Sequence, residues 1–309
     1  MTRILNCSIA LALFSATAAP TLFAAPCAPV VVDDEDEDPP EEEEDRDELK
    51  RLEAWPSPAD KKQLKVDVAR LRKARTEEMG TQAHIALVAE GGAAAPSLIA
   101  ALGKEKDKGA RARITEVLEK VTAAEHTRLI AMHFEDKSED VRVWCLRRVA
   151  AFPDAGVRGS AKAALKRAEK GKKISDKELY AAALCCTSTG DLAGLELLAE
   201  RAESSWKKSG AEIRTALESV RGKQATLYYA PLLESDKRKI KVSGLHLLAG
   251  AGDAESATAL VAPFLDNTDN TLRVAAINAL RGIVDGELPL DKLPVFKAIE
   301  LANQWKKRV

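Results

Sequence analysis

Aromatic residues are scarce in this chain. Phe, Trp and Tyr make up 4% of its 309 residues, although 46% of the residues are hydrophobic. The apolar content is therefore mostly small and aliphatic, and runs such as Ala93–Ala95 and Ala181–Ala183 recur. Strands favour aromatic and β-branched side chains, whereas Ala and Leu suit closely packed helices. Because the sequence also lacks sustained alternation of polar and apolar residues, we predict an all-α fold.

The sequence also lacks the motifs of catalytic and metal centres. Its four histidines include His126 and His133, which are seven positions apart. On a helix that spacing corresponds to about 10 Å, which is too far for two ligands of one ion. There is no Gly-x-Ser-x-Gly elbow and no glycine-rich phosphate loop. We therefore predict no catalytic residue, no metal site, no bound cofactor and no enzyme activity.

The first residues have the pattern of a signal peptide. Arg3 supplies a positive start, an apolar run follows from Ile9 to Phe14, and Ala16-Thr17-Ala18 is a small-x-small cleavage site. We predict a signal peptide over residues 1–18, with residue 24 as the alternative end. The apolar run is shorter than the ~20 residues that cross a bilayer. We therefore expect an exported protein, periplasmic or secreted from a bacterial cell, that is not transmembrane after cleavage.

Residues 19–50 are predicted to form a disordered acidic linker. From Asp33 to Glu48, 13 residues are Asp or Glu, and such a block repels itself and cannot bury apolar surface. The whole chain has 47 basic and 48 acidic residues, of which residues 1–48 contain 2 basic and 13 acidic ones. Residues 49–309 therefore contain 45 basic and 35 acidic residues, which gives them a formal charge of +10. The block is either a solvated spacer or an electrostatic tail that binds a cation, a basic partner or its own domain.

Residues 51–309 contain an internal repeat. Six segments share an aliphatic or small residue followed by a basic or polar one, a small residue four positions on and an apolar residue about eight positions on. These segments begin near residues 110, 141, 179, 213, 240 and 272. An irregular period of about 32 residues is typical of stacked helix pairs. The clearest pair is predicted at 253–265 and 271–284, where the polar side chains of 266–270 cap the second helix.

Three further helix pairs and two terminal helices complete this prediction. The pairs are 126–134 with 138–151, 156–170 with 175–187, and 223–233 with 239–248. Segments 59–78 and 293–309 are interpreted as capping helices with a polar outer face, which the ends of a stack require. The apolar stripe of the first contains Leu64, Val68 and Leu71, and that of the second contains Val295, Ile299, Ala302 and Trp305.

Two of these segments resemble HEAT repeats. Val141-Arg142 after Ser138-Glu139-Asp140, and residues 272–280 after residues 267–270, are similar to the turn and second helix of that family. The resemblance covers roughly residues 80–285. It implies an armadillo-type α-solenoid of about six HEAT-like helix pairs with polar capping helices. It also implies a concave face of second helices that binds protein partners, and it implies no chemistry.

These features favour a non-catalytic scaffold that binds a protein or peptide partner on the concave face. Arg142, Trp144 and Arg273 are the candidate binding residues, because tryptophan beside arginine can hold an aromatic or anionic group. Two alternatives stay open: a helical-repeat enzyme with a lyase- or glycosylase-like groove, and a binder of anionic polymer. Export and the acidic tail count against nucleic acid. We expect a monomer.

The cysteines are the last group of residues with a possible chemical role. Cys145 falls in the second helix of one predicted pair, and Cys185 and Cys186 fall in that of the next. Neighbouring helices pack about 8–10 Å apart, so a disulfide between Cys145 and either Cys185 or Cys186 is within reach in an oxidising compartment. The alternatives are that the thiols fill packing positions, or that the Cys-Cys pair is a metal or redox site.

Overall fold

The computed structural model describes residues 51–171, 174–290 and 292–309, and throughout these ranges the regular structure is helical. The predicted all-α fold is confirmed. The α-helices are α1 Lys61–Lys73, α2 Glu77–Ala89, α3 Ala95–Leu102, α4 Lys108–Val121, α5 Thr127–Ala131, α6 Glu139–Ala151, α7 Arg158–Lys170, α8 Asp176–Ser188, α9 Leu195–Glu218, α10 Lys223–Glu234, α11 Arg238–Ala251, α12 Ala254–Val261, α13 Asn270–Leu280 and α14 Val295–Trp305. The predicted signal peptide, residues 1–18, and the linker, residues 19–50, lie outside the described residues.

Polar side chains begin several of these helices. The Asp107 carboxylate accepts a 2.7 Å hydrogen bond from the backbone N–H of Ala110 at the start of α4. Asp253 and Asp269 cap α12 and α13 in the same way, and these caps satisfy N–H groups that have no partner within the helix. The break predicted at 266–270 is therefore confirmed. The stop predicted at Asp285-Gly286 is also confirmed, since Gly286 ends a π-helical turn with a φ of +66°.

Helices α6, α8 and α10 lie within one residue of their predicted bounds. The helix predicted at 253–265 is α12 followed by a 3-10 turn over Ala262–Asp266, because Pro263 has no N–H and crowds the preceding turn. The helix predicted at 126–134 is shortened to α5, with a 3-10 turn over Ala124–His126 before it. The segment predicted at 59–78 divides between α1 and α2.

Helix α9 is bent at Ser205, which has a φ of −150° and a ψ of 36°. The element therefore consists of two helical segments, 195–204 and 206–218, that are joined without a loop. The hydroxyl of Ser205 donates to the carbonyl oxygen of Arg201 at 3.3 Å, and the hydroxyl of Ser209 donates to the carbonyl oxygen of Ser205 at 2.9 Å. Serine bonds to carbonyls of the preceding turn commonly bend helices, and neither Gly nor Pro marks this bend in the sequence.

The helices from α6 onward pack in series. Helix α6 contacts α8, α8 contacts α9, α9 contacts α11, and α11 contacts α13, which in turn contacts α14. We call α6, α8, α9, α11 and α13 the inner row. Helices α5, α7 and α10 each pack against the helix that follows them in the chain. The buried apolar residues form one continuous cluster from Leu64 to Trp305, so the described ranges share a single core.

The two terminal helices differ in their outer faces. Helix α1 buries Leu64, Val68 and Leu71 as predicted. The prediction for the last helix is wrong for Val295 and Ile299, which are 55% and 45% exposed. Helix α14 buries Ala302 and Trp305 as predicted, together with Ala298, so the centre of its buried stripe lies about 40° from that of the predicted one. Its outer face also exposes Phe296, so the polar outer face expected for this helix is wrong as well.

Among the described residues, no single helix has the length and apolar character of a membrane span. Helix α2 and the following helical segment Gly91–Leu102, which contains α3, reach that length and apolar character only when they are taken together. The chain bends by 116° between these two segments, at Glu90.

Helices α9 and α11 are joined by a stack of Trp206 on His246, with ring centroids 4.5 Å apart and ring planes 5° apart. Burial lowers the pKa of His246 to about 4, so the folded protein keeps this ring neutral where the unfolded chain already binds a proton. Below the ordinary histidine pKa of about 6.5, folding therefore becomes less favourable.

We expect the free energy of unfolding to fall by about 2 kcal/mol between pH 7 and pH 5 because of His246. This interval lies above the range in which most carboxylates titrate. Urea unfolding of wild type and His246→Phe at the two pH values measures the effect, since Phe keeps an aromatic ring against Trp206. The variant should lose most of the pH dependence, and His133→Gln should retain it. An equal pH dependence in wild type and His246→Phe would contradict this assignment.

Candidate functional site

Two adjoining cavities lie along the inner row, with volumes of about 600 Å³ and 340 Å³. Both are lined by Arg147, Ala151 and Glu212, so they form one depression, which we call the inner groove. Its walls come from α4, α6, α8 and the second segment of α9. The lining residues are Leu102, Lys108, Arg111, Ala112, Thr115, Glu119, Asp140, Val143, Trp144, Arg147, Arg148, Ala150, Ala151, Lys177, Leu184, Ser188, Ala211, Glu212 and Thr215.

Helix α6 supplies the centre of this groove. Trp144, Arg147 and Ala151 follow one another at intervals of three and four residues, which places them on one helix face. The Trp144 side chain is only 6% exposed, and its Nε1 is buried without a hydrogen-bond acceptor among the described residues. The hydroxyl of Ser188, which lines the smaller cavity, is buried without a partner in the same ranges. A buried polar atom without a partner costs about 1–3 kcal/mol, so both atoms are unfavourable points in the packing beside the groove.

Positive charge predominates in the groove. Five basic residues line it, and three acidic residues accompany them. Arg111 pairs with Asp140, and Arg147 lies 3.2 Å from the Glu212 carboxylate. The two lysines are exposed and have no acidic partner within the described residues. These lysines are Lys108, at the start of α4, and Lys177, at the start of α8. The groove can therefore attract a negatively charged segment, because its own carboxylates do not pair with these two lysines.

Arg142 does not line the groove, although it was a candidate binding residue. Its Nε and Nη2 donate to the two carboxylate oxygens of Glu178 at 2.7 and 2.6 Å, and Arg167 donates to the same carboxylate at 3.2 Å. Glu178 is fully buried. Burial alone would raise the pKa of Glu178, but the hydrogen bonds and charges of the two arginines outweigh it and hold that pKa below its usual value. Arg142 therefore ties α6 to α8.

Arg273 is engaged in a turn rather than in the groove. Its Nη2 donates to the carbonyl oxygen of Asn267, six residues earlier, at 2.7 Å. Arg142 makes the matching bond through Nη1 to the carbonyl oxygen of Asp136, also six residues earlier, at 2.8 Å. Of the three candidates, only Trp144 lies in the groove. Sequence reasoning missed Lys108, Arg147, Lys177 and Ser188, which lie together only because α4, α6, α8 and α9 are neighbours.

The three described cysteines are buried at the centre of the inner row. Cys145 lies in α6, Cys185 and Cys186 lie in α8, and all three are free thiols in the structure. Burial raises the pKa of Cys145 and of Cys185 well above the ordinary value, and it raises the pKa of Cys186 to about 12. A thiol acts as a nucleophile or metal ligand through its thiolate, which this setting suppresses. The disulfide between Cys145 and Cys185 or Cys186 stays a prediction.

Over the described ranges, His, Cys, Asp and Glu side chains nowhere gather in the groups of three or more that could hold a metal ion. No protein-family model matches the sequence, and no curated protein matches it either.

We expect Arg142→Met to destabilise the protein by about 3–5 kcal/mol, because the substitution leaves the buried Glu178 carboxylate without its bidentate partner. The matched control is Arg147→Met, which removes an exposed pair with Glu212 and should cost about 1 kcal/mol or less. Chemical unfolding of both variants measures the difference. The double variant Arg142→Met/Glu178→Met should recover most of the loss. Similar losses for the two single variants would show that the buried pair has no special role.

We expect Cys145, Cys185 and Cys186 to react with a thiol reagent at least about a hundredfold more slowly in the folded protein than after unfolding, because burial suppresses the thiolate. Mass spectrometry of the labelled peptides gives the rate at each position. Rapid labelling of the folded protein would contradict the burial of these thiols. Labelling after unfolding without a reductant also tests the disulfide: labelling at all three positions excludes it, and a cross-linked pair of peptides identifies it.

Proposed function

We propose that residues 51–309 form a HEAT-like α-solenoid of about six helix pairs. Three observations support this architecture. The inner row packs in series, as stacked pairs do. The bend at Ser205 divides α9 into two segments, which supplies a first and a second helix at the place where the sequence repeat is weakest. The matching bonds of Arg142 and Arg273 to carbonyls six residues earlier occur at corresponding points of two repeats.

We further propose that this domain is a non-catalytic scaffold that binds a protein or peptide partner in the inner groove. The charge of the groove carries the proposal, because Lys108 and Lys177 are exposed beside an apolar floor and have no acidic partner among the described residues. A bound segment with carboxylate or backbone carbonyl oxygens would accept hydrogen bonds from these lysines. Val143 and Leu184 would cover its apolar side chains, as in other concave binding sites.

We propose that the partner binds outside the cytoplasm, because residues 1–18 are proposed to be a signal peptide. Cleavage after Ala18 would leave a mature chain that begins at Ala19 and carries the acidic block ahead of the helical domain. In a bacterial cell the partner would then be a periplasmic, envelope or secreted protein. The domain is proposed to act as a monomer and without a cofactor.

We expect the mature chain to capture a stoichiometric protein partner from the envelope of the exporting cell, and groove substitutions to reduce capture by about tenfold or more, as central contacts do. The groove variant is Lys108→Glu/Lys177→Glu. Its control is Lys166→Glu/Lys223→Glu, which makes the same charge change at exposed lysines of α7 and α10. A third variant, Trp144→Phe, removes the unpartnered donor and keeps an aromatic ring.

Quantitative mass spectrometry of the captured material at low and high salt distinguishes the outcomes. Loss of the partner with the groove variant and Trp144→Phe, but not with the control, supports the proposal. Equal loss with both charge variants, together with salt-sensitive capture of anionic polymer, would replace it with polymer binding. A partner that binds all three variants as well as wild type would overturn the inner groove as its site.

A further inference from the structure

We infer that this domain has a second site, which binds an arginine side chain presented by a segment of a protein partner. The site is the cleft between the first segment of α9 and helix α10, and we call it the tyrosine cleft. Its volume is about 290 Å³, and Glu200, Tyr228, Leu232 and Ile240 are among its lining residues. It shares no lining residue with the inner groove, so the inference does not depend on the function proposed above.

The packing of α11 forms the tyrosine cleft. Helix α11 packs against both α9 and α10, and its Ile240 and Ser243 line the cleft between them. Tyr229, which also lines the cleft, is fully buried, and its hydroxyl donates to the carbonyl oxygen of Leu195 at 3.2 Å. This bond ties α10 to the start of α9. The cleft is therefore built on the packed core and is present before any ligand binds.

An aromatic ring and an apolar wall face the cleft. The side chain of Tyr228 is 47% exposed, and its ring meets that of Tyr229 edge to face, with centroids 5.3 Å apart. The face of such a ring attracts a cation, most often an arginine. Ala199, Leu232 and Ile240 supply an apolar wall beside the ring, against which the methylene stem of a long basic side chain can pack.

The charge of the tyrosine cleft is negative. Glu196, Glu200 and Glu203 line it at intervals of four and three residues, which places them on one face of α9. Lys239 lies 3.7 Å from the carboxylate of Glu203, whereas Glu196 and Glu200 have no cationic partner in the described part of the chain. Burial raises the pKa of Tyr228, and the charges of Glu196 and Glu200 raise it further. Both carboxylates therefore act on the ring that lines the cleft.

The buried hydroxyl of the cleft is also an acceptor. Ser243 is 5% exposed, and its hydroxyl donates to the carbonyl oxygen of Lys239 at 3.1 Å. Because its only proton is already donated, this oxygen can only accept a further hydrogen bond. A ligand that fits the cleft is thus a cation with several donors.

Arginine matches these requirements better than lysine does. A guanidinium group is planar, stacks on aromatic rings and presents five donors that pair with carboxylates in a bidentate manner. An ammonium group is a point charge with three donors. Leu227, which precedes Tyr228 in α10, is exposed as well. Residues on either side of a bound arginine would cover this apolar surface, which favours a peptide segment over a free small cation.

NMR titration of the mature chain with a blocked peptide, acetyl-Gly-Leu-Arg-Leu-Gly-amide, tests the inference. The reference peptides carry citrulline, which has the shape of arginine without its charge, or lysine at the central position. We expect the arginine peptide to bind at least about fivefold more tightly than the citrulline peptide and more tightly than the lysine peptide. The largest resonance shifts should fall within residues 196–203 and 226–232.

Two pairs of variants locate the binding energy. Glu196→Gln/Glu200→Gln should weaken binding of the arginine peptide at least about fivefold. The control, Glu218→Gln/Glu255→Gln, makes the same charge change at exposed glutamates of α9 and α12 and should bind like wild type. Tyr228→Leu should weaken binding, whereas Tyr228→Phe should retain it because the aromatic face remains.

Several results would overturn the inference. Binding of the arginine and citrulline peptides with equal affinity, or no binding of the arginine peptide up to millimolar concentration, would reject cation recognition in the cleft. Equal losses in the two glutamate variants, or shifts confined to the inner groove, would reject the cleft as the site. Binding of acetyl-arginine amide as tightly as the peptide would replace the partner segment with a small cationic ligand.

Discussion

The structure depends on helices that cover one another's apolar faces. Helix α8 shows this most clearly, because ten of its thirteen residues are buried and it packs against α6, α7 and α9. A helix with that burial cannot be stable beside a single neighbour. The small residues of Ala181–Ala183 allow the close approach, and Gly282 does the same further along, where a Cβ would collide with the carbonyl oxygen of Ala249. The scarcity of aromatics thus follows from closely spaced helices.

The sequence predicts those parts of the fold that are determined locally. Helices α8 and α13 begin within one residue of their predicted starts because Ser175 and Asp269 cap them, and a cap involves only the first turn. The bend at Ser205 was not predictable, since a serine in a helical stretch is ordinarily compatible with a straight helix. The exposure of Val295 and Ile299 was not predictable either, because the apolar surface of α14 is wider than the part that α13 covers.

The candidate site was predictable only in part for the same reason. Trp144 was identified because it lies beside Arg142 in a repeat-like segment. The repeat pattern indicated Arg142 and Arg273 as binding residues on the same grounds. Each of them lies six residues after a carbonyl oxygen of the preceding turn, however, and donates a hydrogen bond to that oxygen. The bend in α9 brings Glu212 opposite Arg147, so the shape of the groove depends on a feature without a sequence signal. Residues that line a groove between helices are fixed by how the helices pack, which the sequence of any one helix does not specify.

Arginines and lysines have different tasks in this domain. Several arginines donate to carbonyl oxygens at or near the ends of neighbouring helices: Arg148 to Glu119 at 2.7 Å, Arg158 to Thr189 at 2.9 Å and Arg221 to Gly250 at 3.1 Å. The last carbonyls of a helix have no partner within it, and the planar guanidinium suits such bonds better than an ammonium group does.

This division of tasks changes what a partner would meet. The formal charge of +10 overstates the available charge, because many arginines are committed to the protein's own backbone, whereas Lys108 and Lys177 remain unpaired among the described residues. An ammonium group is a compact point charge without a fixed fork, and it accepts a carboxylate from many directions. In the proposed groove, lysine-dominated charge would therefore favour a flexible acidic segment that contacts the cations in many arrangements. A single carboxylate held in one geometry would instead require a free arginine.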